Sequence, residues 1–220
     1  MSHSQFLTVP GSMARVLVID DFIPGAEQLI DYAVNQPATP ESAGLYPGLR
    51  TPAPPGYIKF SLHKINQVFS QHHEQKQLTE GESFFSMVTT REEALSPAQR
   101  MPHIDRPQPT EYAVVHYLCR PPHGGTSFYQ FTPTGQSLIA EQDYEEYMAS
   151  LALHVADCPP SPHYINGDSD LFKRVLSVDC RFNRAVIYPC ALLHSGNIPH
   201  PFKPDLNPFT GRFTVTSFFR

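Results

Sequence analysis

Short β-type segments separated by proline and glycine constrain the fold of this chain more than any other feature of its sequence. The chain contains 23 prolines, which break helices and keep strands short. Most of the segments between them are rich in β-branched and aromatic residues. They fall at residues 83–90, 111–119, 126–131, 175–180, 184–189 and 212–219. This pattern predicts a mainly antiparallel β domain and excludes a bundle of long helices.

The first third of the chain has a different character. A short buried-strand pattern covers residues 15–20, and apolar residues at helical spacing predict helices over 25–35 and around 62–69. The proline- and glycine-rich stretch 37–57 is predicted to be a long loop that frames a binding site. We therefore expect one domain over residues 1–220, with a helical flank over about 1–80 and a β core over about 82–220.

The β core itself is interrupted once. Residues 111–119 and 126–131 are predicted to pair as a hairpin, and an interrupted helical pattern at 141–156 then suggests an insertion near 132–174. Helices followed by antiparallel strands indicate an α+β fold of the double-sheet jelly-roll type, the cupin-like double-stranded β-helix. Such a barrel has a mouth in which a site can lie.

Charge and cysteine usage narrow the classes of partner. A net charge of −5 and a pI near 6.1 argue against nucleic acid as a partner. The N-terminus has no cationic region followed by an apolar run, and no stretch approaches 18 apolar residues, so we expect a cytoplasmic protein that does not insert into a membrane. The four cysteines form no CxxC pair, which predicts core residues rather than a zinc knuckle or a disulfide framework.

The tripeptide His103-Ile104-Asp105 is the first candidate site. In an extended segment His103 and Asp105 lie on one face, where both can reach a single metal ion. A second histidine would complete a two-histidine, one-carboxylate triad. His194 is the preferred third ligand because it follows a buried strand, whereas His200 sits between two prolines.

The last strand supplies a second candidate. Arg212, Thr214 and Thr216 alternate onto one face of it. An arginine inside a barrel is costly unless a carboxylate pairs with it. No Asp or Glu is placed nearby in sequence to do so, and a bound carboxylate ligand would satisfy Arg212 with help from the threonine hydroxyls.

Taken in order, these motifs resemble the Fe(II)- and 2-oxoglutarate-dependent dioxygenases, most nearly their prolyl 4-hydroxylase-like branch. The resemblance covers about residues 103–219 and is carried by His103-Ile-Asp105, Tyr117-Leu118, Gly124-Gly-Thr-Ser-Phe128, His194 and Gly211-Arg212. The chain departs from the family at Cys119, where the family has Asn, and in the longer gap between His194 and Arg212.

The resemblance implies a role for each matching residue. His103, Asp105 and His194 would hold Fe(II), and Arg212 would bind the distal carboxylate of the co-substrate 2-oxoglutarate. Tyr117 would donate a hydrogen bond to that same carboxylate, with Thr214 beside it. From the sequence alone, Tyr117 can equally be an ordinary core tyrosine, and His116 alternates to the opposite face and is expected outside the site.

The activity implied is O2-dependent hydroxylation of an unactivated C–H bond in an amino acid, a peptide or another small molecule. The presence of Asp105 favours hydroxylation over halogenation, since related halogenases lack that carboxylate. Two alternatives remain at this stage. One is a cupin-like metalloenzyme that does not use 2-oxoglutarate and binds its substrate through Arg212; the other is a non-catalytic binding protein with the same fold.

Overall fold

The structure, a computed structural model, describes residues 3–36 and 46–220. Its ten strands and three helices over these residues are, in chain order, β1 (Ser4–Thr8), β2 (Arg15–Ile19), α1 (Glu27–Val34), β3 (Gly48–Pro52), α2 (Pro55–Gln71), β4 (Gly81–Val88), β5 (Tyr112–Tyr117), β6 (Thr126–Phe131), α3 (Glu141–Asp157), β7 (Phe172–Val178), β8 (Ala185–Pro189), β9 (His194–Gly196) and β10 (Phe213–Phe219). None of these helices is long and apolar enough to cross a membrane.

The strands form two antiparallel sheets. The larger sheet has the order β1-β2-β8-β5-β10-β4-β3, and the smaller has the order β7-β6-β9. An isolated antiparallel bridge between His103 and His194 adds the segment around His103 to the edge of the smaller sheet, beside β9.

The predicted jelly roll is confirmed by the order in which the chain visits these sheets. β4, β5, β8 and β10 are neighbours in the larger sheet, whereas the His103 segment, β6, β7 and β9 make up the smaller one. The chain therefore alternates between sheets, except at the β6–β7 step. This alternation of two facing four-strand layers is the double-stranded β-helix.

Apolar packing arranges the molecule in four layers. The sheets face each other through a shared core in which, for example, the Phe128 and Tyr188 rings lie 5.0 Å apart edge to face. α1 and α2 cover the outer face of the larger sheet, where Ile65 and Phe69 join its core. α3 covers the smaller sheet, with Tyr147 packed against Phe131. The helices thus shield both outer faces, and the interior between the sheets is left for a site.

The predicted hairpin of β5 and β6 is wrong. β5 pairs with β8 and β10 in the larger sheet, whereas β6 pairs with β7 and β9 in the smaller one. The turn at 120–125 carries the chain from one sheet to the other. Two strands that are consecutive in sequence form a hairpin only when they pair with each other. Here each strand pairs on both sides with other strands of the chain.

Two further expectations need correction. Residues 37–45 of the predicted loop 37–57 lie outside the described residues, but β3 and the start of α2 fall inside its second half. The extended residues before Pro54 pair with β4 instead of remaining a loop. The helical pattern near 141–156, which the sequence predicts to be interrupted, forms one uninterrupted helix, α3.

His116 lies outside the space between the sheets, as predicted. It is fully buried under α2, where its Nε2 is 3.0 Å from Asn183 Oδ1 and its Nδ1 is 3.1 Å from the Tyr57 hydroxyl. Asn183 Oδ1 can only accept, so Nε2 carries the proton and Nδ1 accepts from Tyr57. Burial lowers the pKa of His116 to about 4, so the ring is neutral in the fold.

This burial predicts a pH-dependent contribution to stability. Because the folded-state pKa of His116 lies below its unfolded value, the unfolded chain binds the proton more readily, and the free energy of unfolding falls as pH drops from 6.5 towards 4. His116 contributes up to about 3 kcal/mol to that fall. In urea denaturation across this range, His116→Gln is expected to show a shallower pH dependence than the native protein. His63→Gln, an exposed position on α2, is the control, and equal slopes for native and His116→Gln would contradict the account.

Candidate metal centre and its cavity

A cavity of about 110 Å³ lies between the two sheets. Its walls include Thr214 and Thr216 from the larger sheet, Thr126 and His194 from the smaller one, and residues of the segment 98–105. This volume has room for several water molecules or a small organic anion. The cavity is therefore the place in the fold where the predicted site residues can meet a ligand.

Backbone hydrogen bonds place the two histidines of the predicted triad side by side. The His103 amide donates to the His194 carbonyl at 3.0 Å, and the His194 amide donates back to the His103 carbonyl at 2.9 Å. Two residues on, the Asp105 amide donates to the Cys190 carbonyl at 2.9 Å. The segment is thus held extended, as predicted, and His103 and Asp105 project to the same side.

The three side chains converge on one point. Asp105 Oδ1 is 3.9 Å from His103 Nε2, and Asp105 Oδ2 is 3.5 Å from His194 Nε2. One candidate ligand atom from each residue lies within 4.8 Å of the others. Neighbouring ligands of a bound metal lie about 3 Å apart at metal–ligand distances of about 2.1 Å, so small side-chain rotations would close the group on an ion. Two imidazoles and one carboxylate on one face form the donor set that suits Fe(II).

The surroundings keep His194 in the form that binds metal. Burial lowers the pKa of His194 to about 4, so its ring is neutral at physiological pH. Its Nδ1 lies 2.9 Å from the Leu192 carbonyl, which can only accept; the proton is therefore on Nδ1, and Nε2 presents its lone pair to the site. Burial raises the pKa of Asp105, and the charges of Arg50 and Arg106 counter that rise.

Arg212 directly precedes β10 and is buried, with 7% of its surface exposed. Its Nε donates to the Gly124 carbonyl at 3.3 Å and its Nη2 to the Gly125 carbonyl at 3.0 Å. Among the residues that the structure describes, no carboxylate lies within ion-pair distance of it. A buried guanidinium with only carbonyl partners retains donor capacity for an anion.

The two glycines that hold Arg212 are required by close packing. A Cβ on Gly124 would overlap the backbone oxygen of Asn197, and one on Gly125 would overlap that of Val178. The chain can cross between sheets here, and bring its carbonyls to Arg212, only because neither residue has a side chain. The Gly-Gly pair singled out from the sequence therefore serves to position the arginine.

The remaining predicted residues lie around the same cavity. Thr214 lines it, and its Oγ1 donates to the Ser86 carbonyl at 3.3 Å. Tyr117 is buried behind the wall, with its hydroxyl 2.6 Å from Thr126 Oγ1, and Thr126 faces the cavity. Burial raises the pKa of Tyr117, so the phenol stays protonated. Direct contact between Tyr117 and a ligand stays a prediction.

His200 does not join the triad. Its Nδ1 lies 3.0 Å from both carboxylate oxygens of Glu92. The choice of His194 over His200 follows from strand pairing, because only His194 bridges to His103.

Three aromatic and basic residues of the cavity were not predicted as site residues. Arg50 lines it from β3, and Tyr46 lines it from the residues before that strand. Tyr188 lines it from β8, and its ring lies 4.7 Å from that of His194. Arg50 falls within the stretch 37–57, which the sequence predicts to be a loop. Its true position depends on the pairing of β3 with β4, for which the sequence gives no local signal.

Fold and site together define a jelly-roll protein with a candidate metal centre between its sheets. The chain belongs to a family of unknown function, DUF6445, whose model matches residues 2–219. No curated protein sequence matches it at a significant level.

Two solved structures are similar to the chain at a distance. One is the non-haem α-ketoglutarate-dependent epimerase SnoN from nogalamycin biosynthesis, with a TM-score of 0.47 and 9% identity over 93% of this chain and 77% of that chain. The other is HygX from Streptomyces hygroscopicus, solved with nickel and 2-oxoglutarate bound, with a TM-score of 0.45 and 13% identity over 93% of this chain and 81% of that chain.

Removing any one ligand is expected to weaken metal binding. We expect His103→Ala, Asp105→Ala and His194→Ala each to lower the affinity for Fe(II) or Co(II) by roughly 100-fold or more, since even outer partners of a ligand are worth 10- to 100-fold. Anaerobic calorimetric titration measures the change. His200→Ala is the matched control and should bind the metal like the native protein; a comparable loss in that variant would contradict the assignment of His194.

Proposed function

We propose that this protein is an Fe(II)- and 2-oxoglutarate-dependent oxygenase that hydroxylates an unactivated C–H bond of an amino acid, a peptide or another small molecule. The observation that carries the proposal is the pairing, in one cavity, of a two-histidine, one-carboxylate group with a buried arginine that has no carboxylate partner among the described residues. The first fits Fe(II), and the second fits the free carboxylate of a co-substrate bound to that iron.

Each residue has a distinct task in this proposal. His103, Asp105 and His194 would hold the iron through two imidazoles and one carboxylate. Arg212 binds the distal carboxylate of 2-oxoglutarate, and Thr214 lies beside it. When bound, Fe(II), 2-oxoglutarate and O2 supply an oxidant that hydroxylates C–H bonds while 2-oxoglutarate is converted to succinate and CO2.

The interior of the barrel supports the same chemistry by excluding water. Tyr188 and Ile198 close the walls beside the ligands, and both are at most 2% exposed. His103 has 41% of its side chain exposed, so it lies at the mouth of the cavity. Arg212, at 7% exposure, is more deeply buried than His103.

The alternatives differ in what Arg212 binds. In a cupin-like metalloenzyme without a co-substrate, Arg212 would hold the substrate itself. A non-catalytic protein would need neither the triad nor the arginine. Assignment to the prolyl 4-hydroxylase-like branch rests on the sequence motifs alone and stays a prediction.

Uncoupled turnover tests the proposal without knowledge of the primary substrate. The native protein is expected to form succinate slowly from 2-oxoglutarate, dependent on Fe(II) and O2. His103→Ala should lose this activity, and Arg212→Met should require roughly 10- to 100-fold more 2-oxoglutarate, because it loses hydrogen bonds to a charged group. Arg120→Met, at an exposed arginine stacked on Phe182, is the control.

The negative outcomes are equally informative. If iron binds through His103 but no succinate forms, the cupin-like reading is favoured and Arg212 becomes a substrate-binding residue. If the native protein binds no iron, both enzyme readings are wrong.

A further inference from the structure

A second arginine lies in the cavity and has no task in the proposed co-substrate chemistry. Arg50 lies on β3 opposite Ser86 of β4. Its guanidinium carbon is 4.2 Å from the centre of the Tyr46 ring, and the rings of Phe84 and Phe218 lie 5.9 and 5.8 Å away. These rings fix the plane of the guanidinium, so that its edge is left for a planar partner.

The donors of Arg50 are not used by the described part of the protein. Its Nε is buried without a hydrogen-bond partner, and the buried hydroxyl of Tyr46 also lacks one. No carboxylate of the described residues lies within ion-pair distance of Arg50, whereas Arg106 is 2.7 Å from Glu111 and Arg184 is 2.6 Å from Asp20. Stacking on rings does not satisfy N–H donors, so two adjacent buried groups lack a partner on the same wall.

The two arginines line the cavity at different strands of the larger sheet and are held by different groups. Arg212 donates to Gly124 and Gly125 where the chain crosses between the sheets. Arg50 lies on β3, the edge strand of the same sheet, with β4 between it and β10, and it lines the cavity together with Asp105 of the triad. Asp105 is the one carboxylate that lines the cavity among the described residues, and the metal would use it. An anion beside the triad would therefore meet an uncommitted guanidinium.

We propose that Arg50 binds a carboxylate of the primary substrate, so that the substrate is a small carboxylic acid or a carboxylate-bearing group such as an amino acid or a peptide terminus. This inference rests on the proposed function, because only that function distinguishes a co-substrate from a primary substrate. Arg50 and the Tyr46 hydroxyl bind the carboxylate through hydrogen bonds. The carbons next to the carboxylate are then held beside the triad. Arg50 thereby selects the substrate and determines which C–H bond lies nearest the metal.

A binding experiment separates the two arginines without turnover. The protein is loaded with Zn(II), which supports no redox chemistry, and saturated with 2-oxoglutarate to fill the site at Arg212. Trifluoroacetate is then the carboxylate probe, followed by its 19F NMR line width, with trifluoroacetamide as the uncharged counterpart. The native protein should broaden the trifluoroacetate signal and leave the amide signal unchanged.

The variants give the decisive comparison. Arg50→Met is expected to weaken trifluoroacetate binding by about 10-fold or more, whereas Arg212→Met should chiefly weaken binding of 2-oxoglutarate, measured by calorimetry. Arg50→Lys keeps the charge but loses the planar pair of donors, so it should retain only part of the binding; it also serves if the methionine variant does not fold. Arg120→Met should bind both ligands like the native protein.

The outcomes that overturn this proposal differ from those that overturn the proposed function. Unchanged trifluoroacetate binding in Arg50→Met would refute the role of Arg50 and leave Arg212 untouched. A loss of 2-oxoglutarate binding in Arg50→Met equal to that in Arg212→Met would refute the division of roles between the arginines. If the native protein binds no 2-oxoglutarate, the co-substrate proposal fails, while the same titration without 2-oxoglutarate still tests whether Arg50 binds a carboxylate.

A second experiment extends the test to real substrates. N-acetyl amino acids and their C-terminal amides form pairs that differ in one carboxylate. The acids, but not the amides, should accelerate succinate formation by the Fe(II)-loaded native protein, and Arg50→Met should lose that acceleration. Equal stimulation by acids and amides would contradict the proposal.

Discussion

The reciprocal pair of backbone hydrogen bonds between His103 and His194 is the constraint on which the site depends. It joins a segment that follows a turn of 3-10 helix to a three-residue strand from far along the chain. Neither piece is long enough to form a stable strand alone. Their pairing is held by β6 on the other side of β9, and by the Asp105 amide bonded to Cys190. Backbone hydrogen bonds thus position the three residues of the triad, and its geometry does not depend on side-chain packing alone.

The charged groups of the cavity are arranged in the same way around it. Two guanidiniums and two neutral imidazoles surround one carboxylate, and each arginine is positioned by groups that do not neutralise it. Arg212 is held by glycine carbonyls, and Arg50 is held by aromatic rings. Leaving such charges without counter-ions costs stability. That cost is understandable if acidic ligands complete the site, and it distinguishes these arginines from Arg184, which is paired with Asp20.

The sequence predicts those parts of the site that depend only on the geometry of a single strand. The extended spacing of His103 and Asp105 and the same-face alternation of Arg212 and Thr214 need only strand geometry, and the structure brings these residues to one cavity. The hairpin expected for β5 and β6 failed because strand pairing in a jelly roll is set by distant segments. The sequence predicts a loop around Arg50 for the same reason: β3 exists only through its pairing with β4, and the prolines around it indicate turns.

The central claim is that the triad and Arg212 together bind Fe(II) and 2-oxoglutarate as one unit. Anaerobic addition of 2-oxoglutarate to the Fe(II)-loaded protein tests it most directly, because chelation of Fe(II) by a 2-oxo acid produces a visible charge-transfer absorption. The account predicts that this absorption appears in the native protein, and that Arg212→Met needs far more 2-oxoglutarate to produce it. If Fe(II) binds through His103, Asp105 and His194 and saturating 2-oxoglutarate produces no such absorption, the claim is contradicted.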